Sequence, residues 1–173
     1  MSINQTIDKR IDKINSIKMA FEIERKYLVR DDGYRDMETG VLRICQGYLS
    51  RVPERTVRVR TVDDRGFITV KGITVSHIRH EYEYEIPLAD AREMLAMCQP
   101  PVIEKLRHIV PYKGHIWEVD EFMGDLAHVL TAEIELDSPD EKYEIPPFIG
   151  DEITGDPAYY NSNLHEKIQT GNS

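Results

Sequence analysis

Glu22, Glu24 and Lys26 alternate with Ile23, Arg25 and Tyr27 in the segment 21–29. A spacing of two places residues on one face of a β-strand. Two carboxylates and an ammonium on one face are costly to pack into a dry core. They suit the wall of a wet cavity that holds cations and anions together, and a metal-bound polyphosphate is such a ligand. The pattern recurs along the chain. Arg58 and Arg60 alternate with Val57 and Val59, Lys71 follows Val70, and Lys105 and Arg107 flank Leu106. Glu118 and Asp120 flank Val119, and Glu133 and Glu135 flank Ile134. Arginine forks grip phosphate oxygens bidentately and lysines add point charges. Magnesium and manganese accept carboxylate and phosphate oxygens together. Arg58, Arg60, Lys71, Lys105 and Arg107 are therefore the candidates to hold phosphate. Glu22, Glu24, Asp120, Glu133 and Glu135 are the candidates to hold metal. Phosphoanhydride cleavage in such a site proceeds by charge neutralisation and in-line attack.

Positioning these residues requires strands. Period-2 alternation and turn residues predict strands over 21–29, 43–51, 55–62, 67–72, 80–87, 103–111, 115–122 and 130–136. Asp63-Asp64-Arg65-Gly66 and Lys113-Gly114 read as hairpin turns. Residues 89–98 read as a helix ended by Pro100-Pro101, and a last helix is expected near 159–169. The stretch 138–150 is short and interrupted by proline. Trp117 lies opposite Glu118 and is expected to pack beneath a helix. Many short strands joined by hairpins predict an antiparallel barrel or sandwich. Closing the sheet would gather the charged faces into one lumen and turn the apolar faces outward under helices.

With 173 residues, 40% hydrophobic and 31% charged, the chain has an ordinary globular composition. No internal repeat or low-complexity linker divides it. The net charge of −9 argues against a nucleic-acid-coating protein. No run approaches the about 20 apolar residues of a membrane span, and residues 1–18 lack the apolar core of a signal peptide. Cys45 and Cys98 have no metal or redox spacing, which fits reduced thiols in the cytoplasm. The six histidines show no metal-ligand pairing. Residues 1–19 form an N-terminal extension in which Ile3, Ile7, Ile11, Ile14 and Ile17 make a helical stripe. That stripe suits packing on the outside of the domain or on another copy in a homodimer. Alternatively, the segment merely precedes a natural start at Met19.

Glu22-Ile23-Glu24-Arg25-Lys26 resembles the E-x-E-x-K signature of the CYTH superfamily, the triphosphate tunnel metalloenzymes. Gln46-Gly47-Tyr48, Arg58-Val59-Arg60, Lys71, Arg79 to Glu83, Lys105-Leu106-Arg107, Glu118-Val119-Asp120 and Glu133-Ile134-Glu135 follow in that family's order. Glu152 to Pro157 and Tyr160-Asn161 also resemble small bacterial members, so the likeness runs from about Phe21 to Leu164. It implies an α+β, mainly β fold over 20–173: a closed eight-stranded antiparallel tunnel with a charged lumen and helices packed outside. It implies a small-molecule triphosphate substrate, gripped by the basic residues and Lys26. Magnesium or manganese would sit on the acidic ones, Glu118 included. Strands one and eight would then be neighbours, concentrating Glu22, Glu24, Glu133 and Glu135. Lys26 and Tyr48 match a catalytic Lys–Tyr pair proposed for tripolyphosphate hydrolysis in small bacterial relatives. Glu81 and Glu83 would orient Arg58 and Arg60 by ion pairing or, as the alternative, bind metal. The expected activity is inorganic triphosphatase. Adenylate cyclase, thiamine triphosphatase and a non-catalytic polyphosphate or nucleotide binder are the competing expectations.

Overall fold

The computed structural model describes residues 23–75 and 78–164. Glu22, the stripe of residues 1–19 and the end of the expected last helix lie outside the described residues. Nine strands form one antiparallel sheet. They are β1 (Ile23–Val29), β2 (Gly40–Ser50), β3 (Arg55–Val62), β4 (Arg65–Val75), β5 (Ile78–Ile86), β6 (Gln99–Tyr112), β7 (His115–Phe122), β8 (Leu130–Leu136) and β9 (Ile149–Glu152). Among the described residues there is one α-helix, α1 (Leu88–Met97), and three short 3-10 turns. No described helix is long and apolar enough to cross a membrane.

The strand order is β5-β4-β3-β2-β6-β7-β8-β1-β9. The sheet is open, which corrects the expectation of a closed eight-stranded barrel with several helices outside. The first and eighth strands do pair, with Glu24 opposite Glu135 and Lys26 opposite Glu133. That pairing lies inside the sheet and does not close it. The other edge of β1 is taken by a strand that sequence reading missed: β9 pairs Tyr27 with Glu152 and Val29 with Ile149. Ile153 continues this cover by donating its backbone N–H to the Lys26 carbonyl at 2.8 Å. With β1 occupied on both sides, β5 and β9 remain as the two edges.

The open sheet is nevertheless strongly curled. Glu24 on β1 feels the charge of Lys71 on β4, and Arg60 on β3 feels Arg107 on β6. β1 and β4 stand six strand steps apart, about 29 Å in a flat sheet. Solvent-exposed charges that far apart are screened. The charged face must therefore be concave, and it forms a trough.

Two short connections set the registers. Lys113 (φ 47°) and Gly114 (φ 89°) both occupy the left-handed region, as a two-residue hairpin of the twist-compatible type requires. The β3–β4 turn places Asp63 at φ 52°, a conformation that aspartate tolerates better than most side chains.

The apolar residues of the same strands point to the convex face. Tyr27, Val110, Trp117, Val119, Ala132, Ile134 and Leu136 cluster there with Tyr34, Phe148 and Ile149. Trp117 packs against Tyr27, with ring centroids 5.5 Å apart, and Tyr143, at 5.9 Å. Its cover is thus the non-helical segment between β8 and β9, and not the expected helix. α1 covers the β2–β4 side instead, burying Ala91 and Leu95 against Val59. Glycines permit this close seating. A Cβ on Gly47 would lie 2.7 Å from the Cys98 Cβ, and one on Gly66 2.7 Å from the Ala91 Cβ. A third cluster, Ile103, Phe122, Leu126, Val129 and Leu164, sits on the concave side, where Ile103 and Phe122 share the face of Lys105. It walls one end of the trough.

Candidate active site

Strand pairing alone carries the charged side chains onto one face. In register, Lys26 opposes Glu133 and Glu133 opposes Glu118. Arg107 opposes Asp120, Gln46 opposes Arg60, and Tyr48 opposes Arg58. Arg58 opposes Thr69, which opposes Glu83, and Lys71 opposes Glu81. Every described site residue predicted from sequence therefore lies on the concave side. Glu22 lies outside the described residues.

One cluster centres on Arg107. Its guanidinium reaches Asp120 with Nε and Nη2, each at 2.7 Å, Glu118 with Nη1, and Glu133 with Nη2 at 3.1 Å. Lys26 Nζ donates to Glu133 Oε1 at 2.8 Å, and Lys105 Nζ donates to Asp120 Oδ2. The charges reshape one another's protonation. Burial alone would raise the Glu133 and Asp120 carboxyls, but Lys26, Arg107 and Lys105 hold Glu133 well below its usual range. Arg107 and Lys105 do the same for Asp120. Burial alone would lower Lys26, but the Glu133 charge and hydrogen bond outweigh it, so Lys26 is a firm cation. Lys105 is pushed down to about 8 by burial, which the Asp120 charge only partly opposes.

Glu24 differs from these. It is exposed to the solvent within the trough, and among the described residues it has no hydrogen-bonded or ion-paired partner. Burial by the surrounding walls and the nearby Glu133 charge both raise its carboxyl. It faces Glu135 across the β1–β8 ladder. Among the described residues, no three side chains stand together as a ready metal cage. Glu118 and Asp120, predicted as metal ligands, form ion pairs with Arg107 and Lys105.

The second cluster lies on β3–β5. Glu83 accepts from Arg60 Nη2 at 2.8 Å, Arg58 Nη2 at 3.2 Å and Thr69 Oγ1 at 2.5 Å. Glu81 pairs with Lys71 Nζ at 2.6 Å. Burial would raise Glu83, but Arg60 and Arg58 bring it down to about 2. A carboxyl depressed on folding stabilises the fold above its unfolded pKa, and that contribution is lost as pH falls through the folded value. Shifting from 4.5 to about 2 corresponds to roughly 3 kcal/mol. Glu83→Gln is accordingly expected to lower the melting temperature at pH 7. The deficit should shrink steadily between pH 4.5 and 2, as thermal unfolding across that range would show. A deficit independent of pH would assign Glu83 to packing.

Tyr48 is buried, and the Arg51 guanidinium sits 5.6 Å from its ring centroid. The Lys26 ammonium is directed to Glu133. On the convex side, His108 is held between Glu38 and Glu121. Among the described residues, four further polar atoms on the concave face are buried without a hydrogen-bond partner: Gln46 Nε2, Arg58 Nε, Arg60 Nε and Thr131 Oγ1. Gln46 and Thr131 carry no charge, so a search for charged alternation passes over them. The available signal was their parity: each sits two residues from a site residue, Gln46 from Tyr48 and Thr131 from Glu133.

Comparison with known proteins follows the same boundaries. A family profile described as the CYTH domain matches residues 20–160. An inorganic triphosphatase of Acetivibrio thermocellus is 47% identical over 147 residues, covering 84% of this chain and 94% of the relative. An inorganic triphosphatase of Nitrosomonas europaea is 31% identical over 150 residues, covering 83% and 95%. A solved structure of an inorganic triphosphatase superposes with a TM-score of 0.61 at 31% identity, covering 83% of this chain and 93% of that one.

Proposed function

The chain belongs to the CYTH domain family, and we propose that it hydrolyses inorganic tripolyphosphate to pyrophosphate and phosphate in the trough. The enzyme is a triphosphatase, as its relatives of 47% and 31% identity are. The observation that carries this reading is the concave face itself. It sets Lys26, Arg58, Arg60, Lys71, Lys105 and Arg107 around a trough that also holds buried N–H donors without acceptors. A polyanion supplies the missing acceptors.

The donor set fits a divalent cation in kind. Glu24, Glu133 and Glu135 offer only hard carboxylate oxygens, and burial first and the Glu133 charge second raise the Glu24 carboxyl. Glu22, the fourth carboxylate that the sequence offers, lies outside the described residues. A magnesium or manganese ion bound to the other three would neutralise phosphoryl oxygens and polarise the attacking water. Glu118 and Asp120 take a different part, holding Arg107 and Lys105 in place for phosphate.

The chain's own residues do the rest. Arg58 and Arg60 are braced by Glu83 and Lys71 by Glu81, so the phosphate grip is set before substrate arrives. Water attacks the terminal phosphorus in line, its new P–O bond forming as the bridging P–O bond breaks and pyrophosphate leaves. Lys26 is too firmly protonated to accept a proton from water. Its ammonium acts as a fixed charge beside the oxygens that become more negative. Tyr48 is in register with Arg58, and its phenol is proposed to hydrogen-bond a phosphoryl oxygen. The two free thiols, Cys45 and Cys98, suit a cytoplasmic enzyme.

The test is phosphate release from tripolyphosphate, ATP and pyrophosphate, each with magnesium, manganese or EDTA. Metal-dependent release from tripolyphosphate well above that from ATP is expected. Release undiminished by EDTA would remove the metal, and ATP as the preferred substrate would remove the inorganic specificity.

A further inference from the structure

Gln46 is 1% exposed, and its side-chain Nε2 has no hydrogen-bond partner. An amide donor left unsatisfied in a protein interior costs about 1–3 kcal/mol. Its place shows what could satisfy it. Gln46 lies on β2 between Arg60 of β3 and Ile103 of β6, on the concave face. Arg60 Nε is a second buried N–H without an acceptor. Cross-strand partners stand about 5 Å apart at Cα, so the two donor residues are neighbours on the concave face. On the other side Ile103 belongs to the apolar wall that ends the trough. A neutral donor and a cationic donor beside an apolar wall make a preorganised, poorly hydrated pair of hydrogen bonds for one anionic oxygen.

We infer that the Gln46 side-chain amide, together with Arg60 Nε, binds a phosphoryl oxygen of the triphosphate at the walled end of the trough. This rests on the proposed triphosphatase reading. Gln46 adds a contact of a different kind from the cationic grip. It brings a hydrogen bond with no net charge, so it rewards a correctly placed oxygen without adding to long-range attraction. Its affinity contribution is therefore less sensitive to salt than that of Arg60.

The test uses Gln46→Met, which keeps length and volume but removes the donor, and Gln46→Glu, which keeps shape but cannot donate when ionised. Replacing an unsatisfied buried amide by an apolar isostere does not cost stability. Q46M should therefore melt at or above the wild-type temperature without ligand. At the same time kcat/KM for tripolyphosphate should fall roughly 10- to 100-fold, the worth of a hydrogen bond to a charged group. Q46E should lose at least as much, because its carboxylate repels the phosphoryl oxygen. Either variant within three-fold of wild type would overturn the assignment. So would a loss of activity matched by a lowered melting temperature in both variants, which marks a packing residue.

Calorimetric titration of tripolyphosphate in EDTA separates this inference from the triphosphatase reading. If wild type releases no phosphate, that reading fails. A weaker tripolyphosphate affinity of Q46M than of wild type would still support the Gln46 contact, and equal affinity would overturn it.

Discussion

Glu24→Gln is expected to abolish tripolyphosphate hydrolysis while leaving the protein folded. Glu24 is the carboxylate with most to give to a cation. It is exposed within the trough, has no ion-paired partner among the described residues, and is raised by burial and by Glu133. The glutamine keeps the shape and one oxygen but removes the charge. If a divalent ion contributes several kcal/mol of charge stabilisation, losing its anchor costs roughly a thousand-fold in kcat/KM. Stability should hold or rise, because removing one of several crowded carboxylates relieves repulsion. Steady-state kinetics, thermal unfolding and calorimetric titration with manganese would check all three statements. Full activity together with unchanged manganese affinity would sink the metal assignment.

The second large effect belongs to Arg107, for the opposite reason. This guanidinium is already committed to Glu118, Asp120 and Glu133. Burial alone would lower it, but the Asp120 and Glu118 charges raise it well above its ordinary value. Arg107→Met removes the guanidinium that Glu118, Asp120 and Glu133 share. Breaking a buried ion pair on one side typically costs about 3–5 kcal/mol. Activity should fall with stability, since Arg107 is also proposed to grip phosphate. The pH dependence tells the two losses apart. Carboxylates without their cation have folded pKa values raised relative to wild type, so their destabilisation is full at neutral pH and eases as pH falls through the carboxylate range. The variant's melting temperature should thus approach that of wild type on acidification, with activity unrestored. A variant as stable as wild type at pH 7 would mean that the three carboxylates do not depend on Arg107.

These two residues show how far strand alternation reaches. Glu24 and Arg107 were both identifiable as members of one charged face from spacing alone, because β geometry sends alternate residues to opposite sides whatever the partner strands are. Their different conditions were not. Arg107 is saturated because register sets it opposite Asp120 and two strands from Glu133. Glu24 has no ion pair among the described residues, its cross-strand partner being Glu135. Likewise Glu81 and Glu83 looked equivalent on β5, yet one pairs with Lys71 and the other with two arginines. Gln46 escaped a search based on charge because its significance comes from burial without a partner.

The fold divides in the same way. Hairpin turns, the charged and apolar faces and the helix at 88–97 follow from local patterns, since turn stereochemistry and side-chain periodicity act over a few residues. The sheet's edges do not. Proline-rich 138–148 gives no strand pattern, and β9 exists because Ile149 to Glu152 find the free edge of β1 more than 100 residues earlier in the chain. That long-range pairing keeps the sheet open, and curling alone brings Glu24 within reach of Lys71. The amino-acid sequence by itself determined which residues share a face and what chemistry that face can do. The tertiary structure decided which charges neutralise one another, which carboxylate and which donor remain unsatisfied, and where the sheet ends. Those outcomes depend on distances between residues remote in sequence, which no local periodicity encodes.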